Sequence, residues 1–187
     1  MKTRTKIIVG AALSLAAIRL LSSCSSIPKN AKPVNNFDVG RYLGSWYEIA
    51  RFDYRFEKNL DNVAAQYSTK NETEIKVVNS GYNFKKKKWK STTGSAKFAK
   101  EKSVGALKVS FFKPFYAGYN VVAIDEDYKY ALIAGRNLKY LWLLSRNKTM
   151  PEEIKSQYLK KAEQIGYDTS KLVWVKHDKI NPYLNGK

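Results

Sequence analysis

The sequence is short of reactive side chains. Among 187 residues there is one cysteine, Cys24, and one histidine, His177. A single thiol excludes an intramolecular disulfide, and one histidine leaves any catalytic zinc site to be built almost wholly from carboxylates, against the usual ligand choice. A nucleophile paired with a base is equally hard to assemble. We therefore expect no enzymatic activity, no bound metal and no cofactor. Acidic residues are scarce as well: 16 Asp and Glu stand against 34 Lys and Arg, a formal net charge of +18. Beyond the N-terminal segment, no apolar run is long enough to cross a membrane as a helix.

What the chain does have begins at its N-terminus. Lys2, Arg4 and Lys6 precede a mostly apolar stretch from Ile7 to Leu21, interrupted by Arg19. This is the charged-then-hydrophobic order of a secretory signal, too short for a comfortable membrane span. Ser22 and Ser23 lead into the lone thiol, and Leu21-Ser22-Ser23-Cys24 resembles the bacterial lipobox. The resemblance implies cleavage before Cys24, diacylglycerol on its sulfur and acylation of the new amino group. At about 0.8 kcal/mol per buried methylene, two or three acyl chains would hold the protein on a bilayer. Residues 1–23 are then a signal peptide and Cys24 the lipid-attachment residue. Ser25 in the next position, where aspartate often marks inner-membrane retention, favours the outer membrane, with its periplasmic leaflet as the expected location. The stretch SSIPKNAKPVNN is polar and holds Pro28 and Pro33, so residues 24–36 are expected to be the lipidated end and a flexible linker. Residues 37–187 have the size of one domain with a substantial core.

The densest charge is Lys85-Lys86-Lys87-Lys88-Trp89-Lys90, between two segments of strand composition. The spacing predicts a solvated hairpin tip. Such a run also suits anionic headgroups, at roughly 1 kcal/mol per lysine near the surface. Nucleic acid is a poor partner for an exported, anchored protein, and none is expected.

Short runs of β-branched and aromatic residues recur between turn-forming links. They predict strands at Ser45 to Asp53, Val63 to Ser68, Glu74 to Asn79, Trp89 to Phe98, Ala106 to Phe112, Gly118 to Ile124, Tyr130 to Gly135 and Leu138 to Ser145. The period then changes. Pro151, Glu152 and Glu153 open a helix that places Ile154, Tyr158, Ala162 and Ile165 on one face before Gly166 ends it. A last strand follows at Lys171 to His177. The expected fold is all-β: an eight-stranded up-and-down antiparallel barrel, one C-terminal α-helix packed on its wall, and a short final strand. Alternation puts Leu107, Val109 and Phe111 on one strand face and Val63, Ala65 and Tyr67 on another, both apolar and both expected to point inward.

Three sequence blocks then become specific. Gly44-Ser45-Trp46 is similar to the Gly-X-Trp motif that opens the first strand of lipocalins. Tyr119 to Ile133 resembles the second lipocalin signature, and Tyr140 to Arg146 the third. The resemblance spans about residues 37 to 178 and is nearest to the bacterial outer-membrane branch of the family. It implies that Trp46 lies at the closed end of the barrel with Arg146 stacked over it, and that Gly44, Trp46 and Arg146 serve the fold. It also implies inward parities for Glu48, Ala50 and Phe52 on the first strand and for Tyr140, Trp142 and Leu144 on the eighth. Tyr119, Val121, Ile75, Val77 and Ile133 join them.

A calyx lined by these residues would hold fatty acids or lysophospholipids, with membrane maintenance under stress as the implied role. Burial of apolar area would supply most of the affinity, and the hydroxyls of Tyr67, Tyr119 and Tyr140 would be scattered polar handles. Glu48 would need an Arg or Lys partner, or water. The aromatic and basic segment Arg51 to Asn59 would stand at the mouth, as a receiver of ligand or as a lid. A barrel serving as a protein-interaction platform, or carrying another hydrophobic ligand, stays open as an alternative. So does a homodimer.

Overall fold

Strands form where the alternating runs lie, and links form where Gly, Asn, Asp and Lys gather. The computed structural model describes residues 27–184; the expected signal segment and Cys24 lie outside the described residues. A one-turn helix α1 (Val39–Tyr42) leads into β1 (Gly44–Phe52), β2 (Leu60–Thr69), β3 (Glu74–Asn83), β4 (Lys88–Phe98), β5 (Ala106–Phe112), β6 (Phe115–Ile124), β7 (Tyr130–Gly135) and β8 (Leu141–Ser145). Helix α2 (Glu152–Ile165) and a short β9 (Leu172–Trp174) complete the fold. Each strand pairs antiparallel with the next, and β8 pairs with β1, which also pairs with β2, so the sheet closes on itself. The expected eighth strand starts later than its composition suggests, because Arg136 to Tyr140 form the link from β7. The β3–β4 hairpin carries Lys85, Lys86 and Lys87 at its exposed tip.

Antiparallel order sets two ends. Links β1–β2, β3–β4 and β7–β8 leave one end; links β2–β3, β4–β5 and β6–β7 leave the other, together with α1. We call the first the mouth and the second the floor. Strands β7 and β8 are apolar on both faces because both faces are covered, as such continuous runs require. Leu132, Ala134, Leu141 and Leu143 point outward and are fully buried beneath Tyr158, Ala162 and Ile165 of α2. Glu152 and Glu153 in the first turn of α2 complement its dipole. Gly166, at φ 112°, closes it by donating to the carbonyls of Ala162 and Glu163.

The segment before the barrel is not a free linker from Ile27 onward. Pro28, Ala31 and Phe37 are buried, Val34 N–H donates to Val121 O at 2.8 Å, and Val34 O accepts from Gly105 N–H at 2.9 Å. Phe37 N–H then reaches Ser103 O at the floor. Apolar Ile27, Ala31, Val34 and Phe37 among the polar residues carry this docking, and the polar composition concealed it.

The floor is held by one guanidinium. Arg146 Nη1 donates to Ser45 O (2.8 Å), and Nη2 donates to the carbonyls of Arg41 (2.8 Å), Tyr42 (3.1 Å) and Leu43 (2.9 Å). Nε donates to Tyr128 O at 3.2 Å, and the guanidinium lies 3.9 Å from the centre of the Trp46 ring. Trp46 is fully buried, and its indole N–H donates to Tyr42 O at 2.8 Å. Gly44 takes φ 95°, where a side chain would be strained and its Cβ would stand 3.3 Å from Arg146 Nη1. Arg146→Lys keeps the charge but loses the planar fork that reaches several carbonyls at once. It should cost about 2–4 kcal/mol of stability in urea unfolding; a loss within error of zero would show that the carbonyls find other partners.

Candidate ligand-binding site

Register assigns the inward faces, and exposure along them rises from floor to mouth. Near the floor Trp46, Tyr67, Ile75, Val77, Leu107, Val121 and Ile133 are buried in one interior cluster. Midway, Ala65, Asn79, Val109, Tyr119 and Trp142 are only half-buried. Higher still, the inward positions Ala117, opposite Val109, and Thr92, opposite Asn79, are exposed. Water therefore reaches down the inside of the barrel to about its middle. Continuing the alternation along β4 brings Lys90 and Lys88 onto the same inward face at the mouth, paired with Gly81 and Asn83.

Below that level a ring of tyrosines closes the interior. The Tyr119 hydroxyl lies 2.6 Å from that of Tyr42 and 2.8 Å from that of Tyr67. Burial pushes all three hydroxyls above the usual tyrosine range, Tyr67 to about 12. They are satisfied by one another, so Tyr67 and Tyr119 present ring surface rather than free polar handles. Tyr140 stands at the mouth, with ring centroids 4.8 Å from Tyr54 and 6.2 Å from Trp142.

Two β-bulges move residues that simple alternation placed inside. Pairing of β1 with β8 slips between Glu48 and Ala50, so Glu48 and Arg51 face inward while Ile49 and Ala50 face outward. Ala50 and Phe52 consequently lie in the layer beneath α2, Phe52 edge-on to Tyr167, and not in the cavity. A second slip, between Val109 and Phe112 where β5 meets β6, turns the hairpin tip back over the wall. Phe111 leaves the interior cluster, is 37% exposed and packs against Gly94, where an added Cβ would stand 2.7 Å from its ring. The same fold-back brings Lys113 Nζ to 3.4 Å from Glu74.

The first bulge also creates a polar cluster inside the mouth. Arg51 Nη1 donates to Glu48 at 2.8 Å, and Nη2 donates to the carbonyls of Glu57 (2.9 Å) and Leu60 (3.0 Å), where β1 and β2 diverge. The Glu57 carboxyl accepts from Trp142 Nε1 at 3.2 Å and is buried, so the β1–β2 link reaches into the barrel. Burial pushes both carboxyls up. Glu57 is pushed further, because the charge of Glu48 adds to its desolvation, whereas Glu48 bonds Arg51 directly. Burial works against the charge of Arg51, but Glu48 beside it holds the guanidinium protonated. Two carboxyls thus share one cation, and the extra proton belongs on Glu57. The sequence pointed to Glu48 alone; only the need to neutralise it, together with a bulge, identifies Arg51. His177 lies outside the barrel, its Nε2 2.8 Å from Glu48 O and its ring edge-on to Tyr47.

A closed eight-stranded barrel with a Gly-X-Trp entry, an arginine-plugged floor and an accessible apolar interior defines a lipocalin, and the Lipocalin-like domain model matches residues 37–177. The chain belongs to that family, whose members hold small hydrophobic ligands. It is 49% identical over 168 residues to outer membrane lipoprotein Blc of Citrobacter freundii, covering 90% of this chain and 95% of the relative. It is 43% identical to the protein of that name from Vibrio cholerae, covering 83% and 92%. Insecticyanin from Manduca sexta has the same fold, with a TM-score of 0.64 at 21% identity over 78% of this chain and 84% of its own.

The raised pKa of Glu57 has a definite sign. Folding favours its protonated form, so its contribution to stability is full below the ordinary carboxylate range and is lost as pH rises through the folded-state pKa. Glu57→Gln keeps an acceptor for Trp142 and removes the titration. Wild type and variant should unfold at similar urea concentrations at about pH 4, with the variant increasingly the more stable towards about pH 8. A constant difference across that range would show that Glu57 does not bind the proton.

Proposed function

We propose that this protein is a lipid-anchored lipocalin of the outer membrane that takes up single-chain amphiphiles, fatty acids or lysophospholipids, tail first. It serves membrane upkeep by moving or storing these lipids and has no catalytic role. The observation that carries the reading is the gradient on the inward faces: a dry aromatic floor, a half-open apolar middle and cationic positions at the rim. An acyl tail gains most of its binding free energy from apolar burial against the accessible faces of Ala65, Val109, Ala117, Tyr119 and Trp142, at about 25 cal/mol per Å². Lys88 and Lys90, inward on β4, suit a carboxylate or phosphate headgroup left at the water boundary. Ala65 leaves room beside the larger side chains. The name shared by the bacterial relatives, outer membrane lipoprotein, supports the anchor at Cys24 and the membrane assigned to it. Ser25 and the lipobox resemblance favour the outer membrane, its periplasmic leaflet is the location this reading takes, and a homodimer is compatible with it.

Trp142 lines the cavity and reports on it. Titration with palmitate or lysophosphatidylcholine should change its fluorescence with one-to-one saturation. Ala117→Trp points into the barrel and should weaken binding at least about tenfold, a loss near 1.4 kcal/mol. Tyr116→Trp, on the outward face of the same strand beside Lys97, should leave affinity unchanged. Equal effects of the two substitutions, or no saturable binding by wild type, would rule out the cavity as the binding site.

A further inference from the structure

Charge is distributed unevenly between the two ends of the barrel. The mouth links β1–β2, β3–β4 and β7–β8 carry Arg55, Lys58, the run Lys85 to Lys87, Arg136 and Lys139, opposed only by Asp53 and the buried Glu57. The floor links carry four basic residues against five acidic ones, three of the latter in Asp125-Glu126-Asp127. The links therefore make the mouth strongly cationic and leave the floor close to neutral. Large apolar side chains stand among these cations: Phe56 is 56% exposed, Phe84 46% and Leu138 42%, one on each of the three links. The β5–β6 tip does not belong to this rim, since it folds back towards Glu74.

The path of the N-terminal segment supplies a third, independent observation. From Phe37 at the floor the chain runs backwards along the wall until Ile27 to Asn30 line one surface cleft with Arg136, Asn137 and Leu138. The described chain thus begins at the mouth. Cys24 precedes Ile27 by three residues, which span at most about 11 Å in any conformation.

We propose that the mouth of the barrel docks on an anionic lipid bilayer, with Phe56, Phe84 and Leu138 entering the headgroup layer and the surrounding cations held by lipid phosphates. Exposed apolar residues ringed by lysine and arginine match such a surface in both polarity and sign. The short tether presents the same end to the membrane, resting on the acylation of Cys24 proposed above. Docked in this way, the cavity opens directly onto the lipids, and an amphiphile enters without its tail crossing bulk water.

Acylation of Cys24 also makes the test clean, since an introduced cysteine is then the sole free thiol. The full lipidated protein, carrying a nitroxide at Lys86→Cys or at Asp127→Cys, is reconstituted in phosphatidylcholine vesicles with and without phosphatidylglycerol. In the anionic vesicles, collisions with a water-soluble nickel chelate should be severalfold rarer at the Lys86 site than at the Asp127 site. High salt or Arg55→Glu with Lys58→Glu should shrink that contrast. Equal accessibility of the two sites, or a more shielded Asp127 site, would overturn the proposal. If the parent chain takes up label at Cys24, the anchor reading fails by itself. The rim is then judged by sedimentation of that unanchored chain with anionic vesicles, abolished by the same two substitutions; no sedimentation overturns docking as well.

Discussion

The closure of this barrel depends on the guanidinium of Arg146. A sheet of eight strands closes only if its first and last strands are held in register, and here the residue that follows β8 binds the backbone that leads into β1. Its partners are the carbonyls at the C-terminal end of α1 and the start of β1, groups that a short helix leaves unsatisfied. Charged hydrogen bonds of this kind contribute about 1.5–3 kcal/mol each when the alternative is a buried, unpaired acceptor. Trp46 fills the space above, and its indole is bound to the same stretch of backbone. The three tyrosine hydroxyls above it are likewise bonded to one another.

The second constraint is the bulge in β1. One extra residue between Glu48 and Ala50 reverses which face the rest of the strand presents. The apolar residues beyond it, Ala50 and Phe52, supply the outer layer that α2 covers, and the outward edge of the strand becomes free to pair with β9. On the inside, the same reversal brings Arg51 to the point where β2 diverges, and its guanidinium replaces the ladder bonds that β1 and β2 no longer make. A buried ion pair is weak evidence for stability, since desolvation consumes much of its attraction. Here the carbonyl contacts give Arg51 a second task, since they tie the β1–β2 link and the start of β2 to the strand it leaves.

Most of the fold was legible because its signals are local. Alternation in Ala106 to Phe112, the continuous apolar run of Tyr130 to Gly135, the helical face of Ile154, Tyr158, Ala162 and Ile165, and the Gly44-Ser45-Trp46 entry each depend on a few adjacent residues, and each strand or helix forms where they stand. The interior was legible wherever strands stay regular, as for Tyr67, Val77, Leu107, Tyr119, Val121, Ile133 and Trp142. It failed for Ala50, Phe52 and Phe111 for one physical reason. A bulge changes side-chain parity without changing composition, because an inserted residue looks like any other until its partner strand is known. The docked segment from Ile27 was missed on similar grounds: its contacts are with Val121 and Gly105, remote in sequence.

Selectivity in such a barrel has to be exercised at the mouth. The wall below is aliphatic and aromatic, and a surface of that kind separates tails differing by one methylene by only about 1–3 kcal/mol. The tyrosine ring offers no free hydroxyl to a headgroup. The groups that can tell one amphiphile from another are those that keep charge or a titratable proton near the opening: the inward Lys88 and Lys90, the paired Glu48 and Arg51, and Glu57 on its link. The Glu48–Arg51 pair beside a protonated Glu57 carries no net charge, whereas Lys88 and Lys90 do, so an anionic head is drawn towards β4 across the entrance. The polarity of the calyx therefore runs along its axis and across its mouth, and both gradients arise from where the strands end and where one of them bulges.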